Sequence, residues 1–214
     1  MTTGYAARKL EPDGVHAGPD LERVVDEFAP RWVVRSFPVA RQILRASDAT
    51  DQAGLARAGS TGRRCARPSS TRRGASTVPS AHEILRLEPV VGELRRTTRK
   101  PVDVQTADGP VTIPPGERIE LQLRRANADP DVVGQDPDRL CPDRILPAAV
   151  PSVVLSFGDG HHRCRGGPLA ILESDIFLYR LLARDLITDG PPRVRWNTVS
   201  QDYDLDRFMV RLRD

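Results

Sequence analysis

The sequence predicts a mainly helical chain carrying small β-sheets, an α+β arrangement. Three observations lead there. Past residue 167 the apolar residues Leu169, Ile171, Leu172, Ile176, Phe177, Leu178, Leu181 and Leu182 follow a helical pattern. Between 102 and 123 the pattern is alternation, in short runs: Val102 and Val104, then Val111 and Ile113, then Ile119, Leu121 and Leu123. A glycine-rich run, Ser156-Phe157-Gly158-Asp159-Gly160-His161-His162-Arg163-Cys164-Arg165-Gly166-Gly167, stands between a strand-like apolar run and that helix.

The elements follow in chain order. Residues 1–19 are expected to be a flexible terminus. Asp20 caps a predicted helix with Leu21, Val24, Val25 and Phe28 on one face. Trp32, Val33 and Val34 read as a strand, and Pro38 suits the first turn of a helix bearing Val39, Ile43 and Leu44. From Gln52 to His82 no acidic residue occurs, and Arg57, Arg63, Arg64, Arg67, Arg72 and Arg73 are interleaved with small and polar residues. No apolar period survives there, so 55–79 reads as a disordered linker or junction. A short helix is expected over Ser80–Leu87, with Ser80 and Glu83 as a capping box and Pro79 limiting it upstream. Ala107-Asp108-Gly109-Pro110 is a turn. Val194, Trp196, Leu205, Phe208, Val210 and Leu212 point to terminal strands. The organisation is therefore 1–19, 20–54, 55–79 and 80–214.

Composition narrows the function classes. The chain has 214 residues, a formal net charge of +3, 39% apolar residues and 5% aromatics. It has no apolar run of the roughly eighteen residues that a membrane helix needs, so no membrane partner is expected. Met1 to Leu10 lacks the apolar centre of a signal peptide. Cys65, Cys141 and Cys164 make no disulfide framework, and a cytoplasmic location is expected. The arginine-rich stretch lacks interleaved aromatic stacking residues, so no nucleic-acid partner is expected either.

The cysteine loop carries the chemistry. Phe157, Gly160, His162, Cys164 and Gly166 form Phe-x-x-Gly-x-His-x-Cys-x-Gly, followed by Leu169, Ala170 and Glu173 as Leu-Ala-x-x-Glu. This resembles the heme-binding loop of the cytochromes P-450, the heme-thiolate monooxygenases. The resemblance implies a partial cytochrome P-450 fold, a C-terminal heme-binding third plus an N-terminal segment, with heme b as cofactor. It makes Cys164 the axial ligand of the iron, Phe157 a shield over the sulfur, and His162 a partner of a heme propionate, with His161 beside it. A thiolate ligand pushes electron density onto iron and favours O–O cleavage. Zinc is the competing reading of His161, His162 and Cys164, but zinc takes four ligands and Cys65, Cys141, His16 and His82 are scattered.

A second motif, Glu83-x-x-Arg86, puts both residues on one helix face. In the family it pairs with an arginine from a later loop, and Asp136-Pro137-Asp138-Arg139-Leu140 makes Arg139 the candidate. The resemblance thus implies a structural cluster of Glu83, Arg86 and Arg139. It also places Arg96 at a heme propionate, with Arg99 as the competing choice; guanidinium suits a carboxylate. The implied activity is monooxygenation of a small apolar organic substrate, with electrons from a ferredoxin and ferredoxin reductase. Arg163 and Arg165 would contribute to an electropositive docking face for that donor.

The chain also departs from the family. Its distal helix carries an acid–threonine pair within Ala/Gly-Gly-x-Asp/Glu-Thr, and no such sequence occurs here. Where the family has its large helical body, this chain has the 55–79 stretch. An internal deletion with a frame-shifted segment is the expectation. A non-catalytic heme-binding remnant is therefore the alternative to a working enzyme.

Overall fold

The computed structural model describes residues 18–25, 30–53, 78–197 and 202–213. Most of the expected flexible terminus, almost all of the expected linker, and Phe28 and Cys65 lie outside these residues.

Strands β1 (Leu21–Val24) and β2 (Arg31–Val34) pair antiparallel, with Leu21 opposite Val34. The helix expected over Leu21, Val24 and Val25 is therefore a strand. The Asp20 carbonyl accepts from the Arg35 N–H at 2.9 Å and prolongs the ladder instead of opening a helix. Val25 is 67% exposed, so the supposed apolar face rests on no core. Backbone pairing with β2 outweighs a weak helical period.

The main sheet has five strands in the order β1-β2-β7-β4-β3, where β3 is Thr50–Ala53, β4 is Glu93–Thr98 and β7 is Arg118–Gln122. β7 is its centre, parallel to β2 (Val34 opposite Leu121) and antiparallel to β4 (Leu94 opposite Leu121). Alternation buries Ile119 and Leu121 on one face. Glu93 and Glu120 crowd together on these strands, each held by an arginine: Arg95 at 2.5 Å and Arg31 at 2.5 Å respectively. Burial and the neighbouring Glu120 together push Glu93 up to about 8, against the pull of Arg95.

Helix α1 (Phe37–Arg45) covers the sheet. Pro38 sits in its first turn, as its fixed φ favours. Ser36 makes no side-chain cap; the Phe37 N–H donates instead to Asp129 Oδ2 at 2.9 Å, ninety-two residues away in sequence. Phe37, Val39, Ala40, Ile43 and Leu44 pack against Val102, Val104 and Ile113, and against Ile119, Leu121, Val154 and Leu155. Val102, Val104 and Ile113 belong to a hairpin of β5 (Val102–Thr106) and β6 (Gly109–Ile113), joined by the expected turn. Each such buried aliphatic side chain stabilises the fold by about 1.5–3 kcal/mol relative to exposure.

Helix α2 (Val78–Leu87) begins two residues before Ser80, so Ser80 lies inside it and is not an N-cap. Glu83 is consequently free of the expected capping box and serves Arg86. Leu123, expected to end a strand, opens the short helix α3 (Leu123–Ala126), its N–H donating to the Gly92 carbonyl at 2.8 Å. Asp129 caps α4 (Pro130–Val133).

Helix α5 (Gly167–Leu182) is the helix predicted from the apolar pattern. It packs on α2, where Asp175 faces His82 and opposes the effect of burial, which holds that imidazole below its usual range. The chain ends in two small sheets, β8 (Leu186–Thr188) with β11 (Val210–Leu212) and β9 (Arg193–Asn197) with β10 (Asp202–Asp206). Phe208, expected on a strand, lies between β10 and β11 and is exposed. No helix among the described residues is long and apolar enough to cross a membrane.

Candidate functional site

The cysteine loop is fixed by its own backbone and by close packing against the end of α1. The Gly158 N–H donates to the Leu155 carbonyl at 2.7 Å, and the Cys164 N–H to the Phe157 carbonyl at 2.8 Å. These bonds turn the chain so that residues 160–162 form a single 3-10 turn. Gly160 has φ +67°, and a Cβ there would lie 2.4 Å from the Leu44 carbonyl oxygen at the end of α1. A side chain at this point is excluded twice, by backbone conformation and by space. At Gly167, a Cβ would lie 3.2 Å from the Phe157 ring. Phe157 thus packs under the start of α5. The ring has room there because residue 167 carries no side chain. Cys164 itself is exposed. Gly166 is the N-cap of α5 and stands 3.8 Å (from an ideal Cβ) from Cys164 Sγ, putting the sulfur by the positive end of a sixteen-residue helix.

Next to the loop lies an unusual arginine. Arg96 on β4 is 2% exposed, its Nη1 donates to the Arg95 carbonyl at 2.9 Å, and its Nε is buried without a partner. No carboxylate pairs with it among the described residues. Burial alone holds its guanidinium below the usual range. His162 is held down as well, by burial first and then by the charges of Arg96 and His161. Two cationic groups that disfavour each other's charge, beside a buried donor with no acceptor, make a site that an anionic group would complete. Arg99, the competing choice, is instead paired with Asp51 at 3.3 Å and donates to the Ser47 carbonyl.

The Glu83 cluster differs from expectation in one member. Arg86 is fully buried and forms a fork on Glu83, Nε to Oε1 at 2.7 Å and Nη2 to Oε2 at 3.0 Å. The third guanidinium is that of Arg144, whose Nε donates to Glu83 Oε2 at 3.3 Å, not that of Arg139. Arg139 contributes its carbonyl oxygen, which accepts from Arg86 at 3.3 Å and from Arg144 at 2.9 Å. The tripeptide Pro-Asp-Arg occurs twice, at 137–139 and 142–144, and it is the guanidinium of the second copy that reaches Glu83. Burial pushes Glu83 up, but the Arg86 hydrogen bond, the Cys141 N–H and both arginine charges outweigh it and hold the carboxyl below its usual range.

Two polar residues without an assigned role in the sequence reading, Asn127 and Ser156, tie this cluster to the loop. Asn127 is fully buried; its Nδ2 donates to Ser156 Oγ at 2.9 Å and its Oδ1 accepts from the Leu155 N–H at 2.9 Å. Ser156 Oγ donates to the Leu85 carbonyl at 2.7 Å. Arg86 reaches the Asn127 and Pro137 carbonyls at 3.1 and 2.7 Å. A continuous polar network thus runs from α2 through Asn127 into the residue before Phe157. The available signal is weak: a polar residue, Asn127, between Ala126 and Ala128.

Comparison with known proteins fits this geometry. The sequence profile of the cytochrome P-450 family matches residues 79–185, half of the chain. The chain belongs to the cytochrome P-450 family. It is 38% identical over 102 residues to erythromycin C-12 hydroxylase of Saccharopolyspora erythraea, a match spanning 48% of this chain and 24% of that protein. It is 35% identical over 105 residues to the biotin biosynthesis cytochrome P-450 of Bacillus subtilis, spanning 49% of this chain and 24% of that protein. Among solved structures, a thermophilic cytochrome P-450 from Sulfolobus tokodaii superposes with a TM-score of 0.51 at 31% identity, covering 66% of this chain and 35% of that one. P-450 BioI, in complex with an acyl carrier protein, superposes with a TM-score of 0.52 at 30% identity, covering 64% and 33%. The matches span about a quarter of the curated relatives' length. The family's members are heme b proteins of monooxygenase type, and the fold here is a partial version of theirs.

Proposed function

We propose that this chain binds heme b through the thiolate of Cys164. The buried, acid-free Arg96 beside His162 is the observation that carries the reading. A cofactor with two carboxylates supplies the acceptor that Arg96 Nε lacks and a counter-charge for the imidazole beside it. The residues present therefore fit the group. Heme with thiolate ligation supplies dioxygen activation. The protein's part is to hold the loop. Cys164 is fixed by the Phe157 carbonyl and stands at the N-terminus of α5, whose dipole favours the anion. Arg96 and His162 orient propionates, and Phe157 and Gly160 shape the loop. Glu83, Arg86 and Arg144 lock the layer below it.

The reaction class implied is insertion of one oxygen atom of O2 into a small apolar organic substrate, with a ferredoxin and its reductase as electron source, in the cytoplasm. A second reading, a non-catalytic heme-binding module, is favoured by a specific observation. Between β3 and α2 stand only residues 54–77, and they hold no acid–threonine pair. The experiment is the absorption spectrum of the reduced, carbon monoxide-bound chain purified with heme, beside Cys164→Ala. A strongly red-shifted Soret band that the substitution abolishes is expected. Absence of the band, or a band indifferent to the substitution, overturns the reading. Turnover with ferredoxin and reductase then separates enzyme from binding module.

A further inference from the structure

We propose that Asp159 is a positioning residue for the cysteine loop, acting as a carboxylate clamp that fastens the loop to α1. Its two oxygens have separate tasks. Oδ2 accepts from Arg41 Nε at 2.9 Å and from Arg45 Nε at 3.0 Å. Oδ1 accepts from the Gly160 N–H at 2.8 Å, starting the 3-10 turn that leads to Cys164. Arg41 and Arg45 are four apart on α1, so both reach one point beside the helix. Only an acceptor-only group with two oxygens satisfies all three donors; an amide has one oxygen and would turn an N–H toward one side.

The surroundings fit a clamp more than an incidental surface pair. Asp159 is 8% exposed. Arg41 is already held in place, its guanidinium 5.5 Å above the Phe37 ring. Gly160, the next residue, lies against the Leu44 carbonyl with no room for a side chain. Burial pushes the Asp159 carboxyl up, but the Gly160 N–H and the two arginines outweigh it and hold it below its usual range, so the clamp stays closed at neutral pH. Its parts, α1 and the cysteine loop, are 118 positions apart in sequence.

The spectroscopic part of the test rests on the heme reading; the exchange part does not. In the full chain supplied with heme, Asp159→Asn is expected to lower the fraction showing the red-shifted reduced, carbon monoxide-bound band by at least about twofold. In the heme-free chain it is expected to speed amide hydrogen exchange at Gly160 and Cys164 by about tenfold, the order lost with a charge-assisted hydrogen bond. Arg41→Met acts in the same direction without touching the loop, and Arg41→Lys restores part of the effect. Arg45→Met has a smaller effect, since that side chain is 54% exposed and screened. Wild-type exchange and band fraction in both Asp159→Asn and Arg41→Met would overturn the clamp. A wild-type chain without the band refutes the heme reading alone, and the exchange rates still decide on Asp159.

Discussion

Helices α1 and α5 make a useful pair. α1 is nine residues long and buries Phe37, Val39, Ala40, Ile43 and Leu44. α5 is sixteen residues long and richer in apolar side chains, yet only Gly167 is buried. Leu169 is 59% exposed, Phe177 62% and Leu182 62%. Apolar content therefore does not make a core; neighbours do. α1 has a sheet on one side and a hairpin on the other, whereas α5 has α2 and open surface. A helix this rich in apolar residues is built for burial, and the relatives matched here, about twice as long as this chain, have more chain with which to provide it.

The contrast can be broken or sharpened by substitution. The largest effect is expected below the loop: Arg86→Met leaves Glu83 buried beside one remaining arginine and should cost about 3–5 kcal/mol, read as a lower urea midpoint. Ile43→Ala in α1 should cost about 2–5 kcal/mol, while the same truncation at Leu172 in α5 should stay within about 0.5 kcal/mol. Equal losses at the two sites would erase the distinction between the helices. pH offers the next handle. Glu83 is held below its unfolded value, so its stabilisation is full above that value and is lost as pH falls through the folded one. Glu93 has the opposite sign: raised to about 8, it opposes folding increasingly as pH climbs from the ordinary carboxylate range toward that value. Glu93→Gln should therefore raise the melting temperature near neutral pH and leave it unchanged in mild acid. Phe177→Ser should hardly move stability but should reduce self-association in sedimentation, because exposed apolar patches promote it.

How much of this was legible in the sequence depends on the range of the contacts. The alternating runs at Val102–Val104 and Val111–Ile113 became a hairpin because the turn between them is local. The period after Gly167 became α5 for the same reason. Leu21 and Val24 misled, because four residues fit a helix face or a strand equally and only pairing with Val34 decided. The cysteine loop was readable as a pattern, but its fastenings were not. Asp159 meets Arg41 across 118 positions, and Phe37 takes its cap from Asp129. Arg144 and Arg139 share the same preceding residues, so only the folded distance to Glu83 distinguishes them. Long-range polar partners leave no periodic trace.

The parallel pairing of β2 with β7 has a further consequence. Val34 lies opposite Leu121, so the central sheet cannot close until a long excursion of chain has returned. The entropy of closing such a loop grows only with the logarithm of its length, by about 0.6 kcal/mol for each doubling. β3 delivers the chain to the sheet edge beside β4, and α2 brings it back, whatever lies between. The seam between Ala53 and Val78 is therefore a place where chain can be added or taken away with little thermodynamic penalty to the sheet. Excursions of very different size can share one framework, as in this chain and in relatives about twice as long.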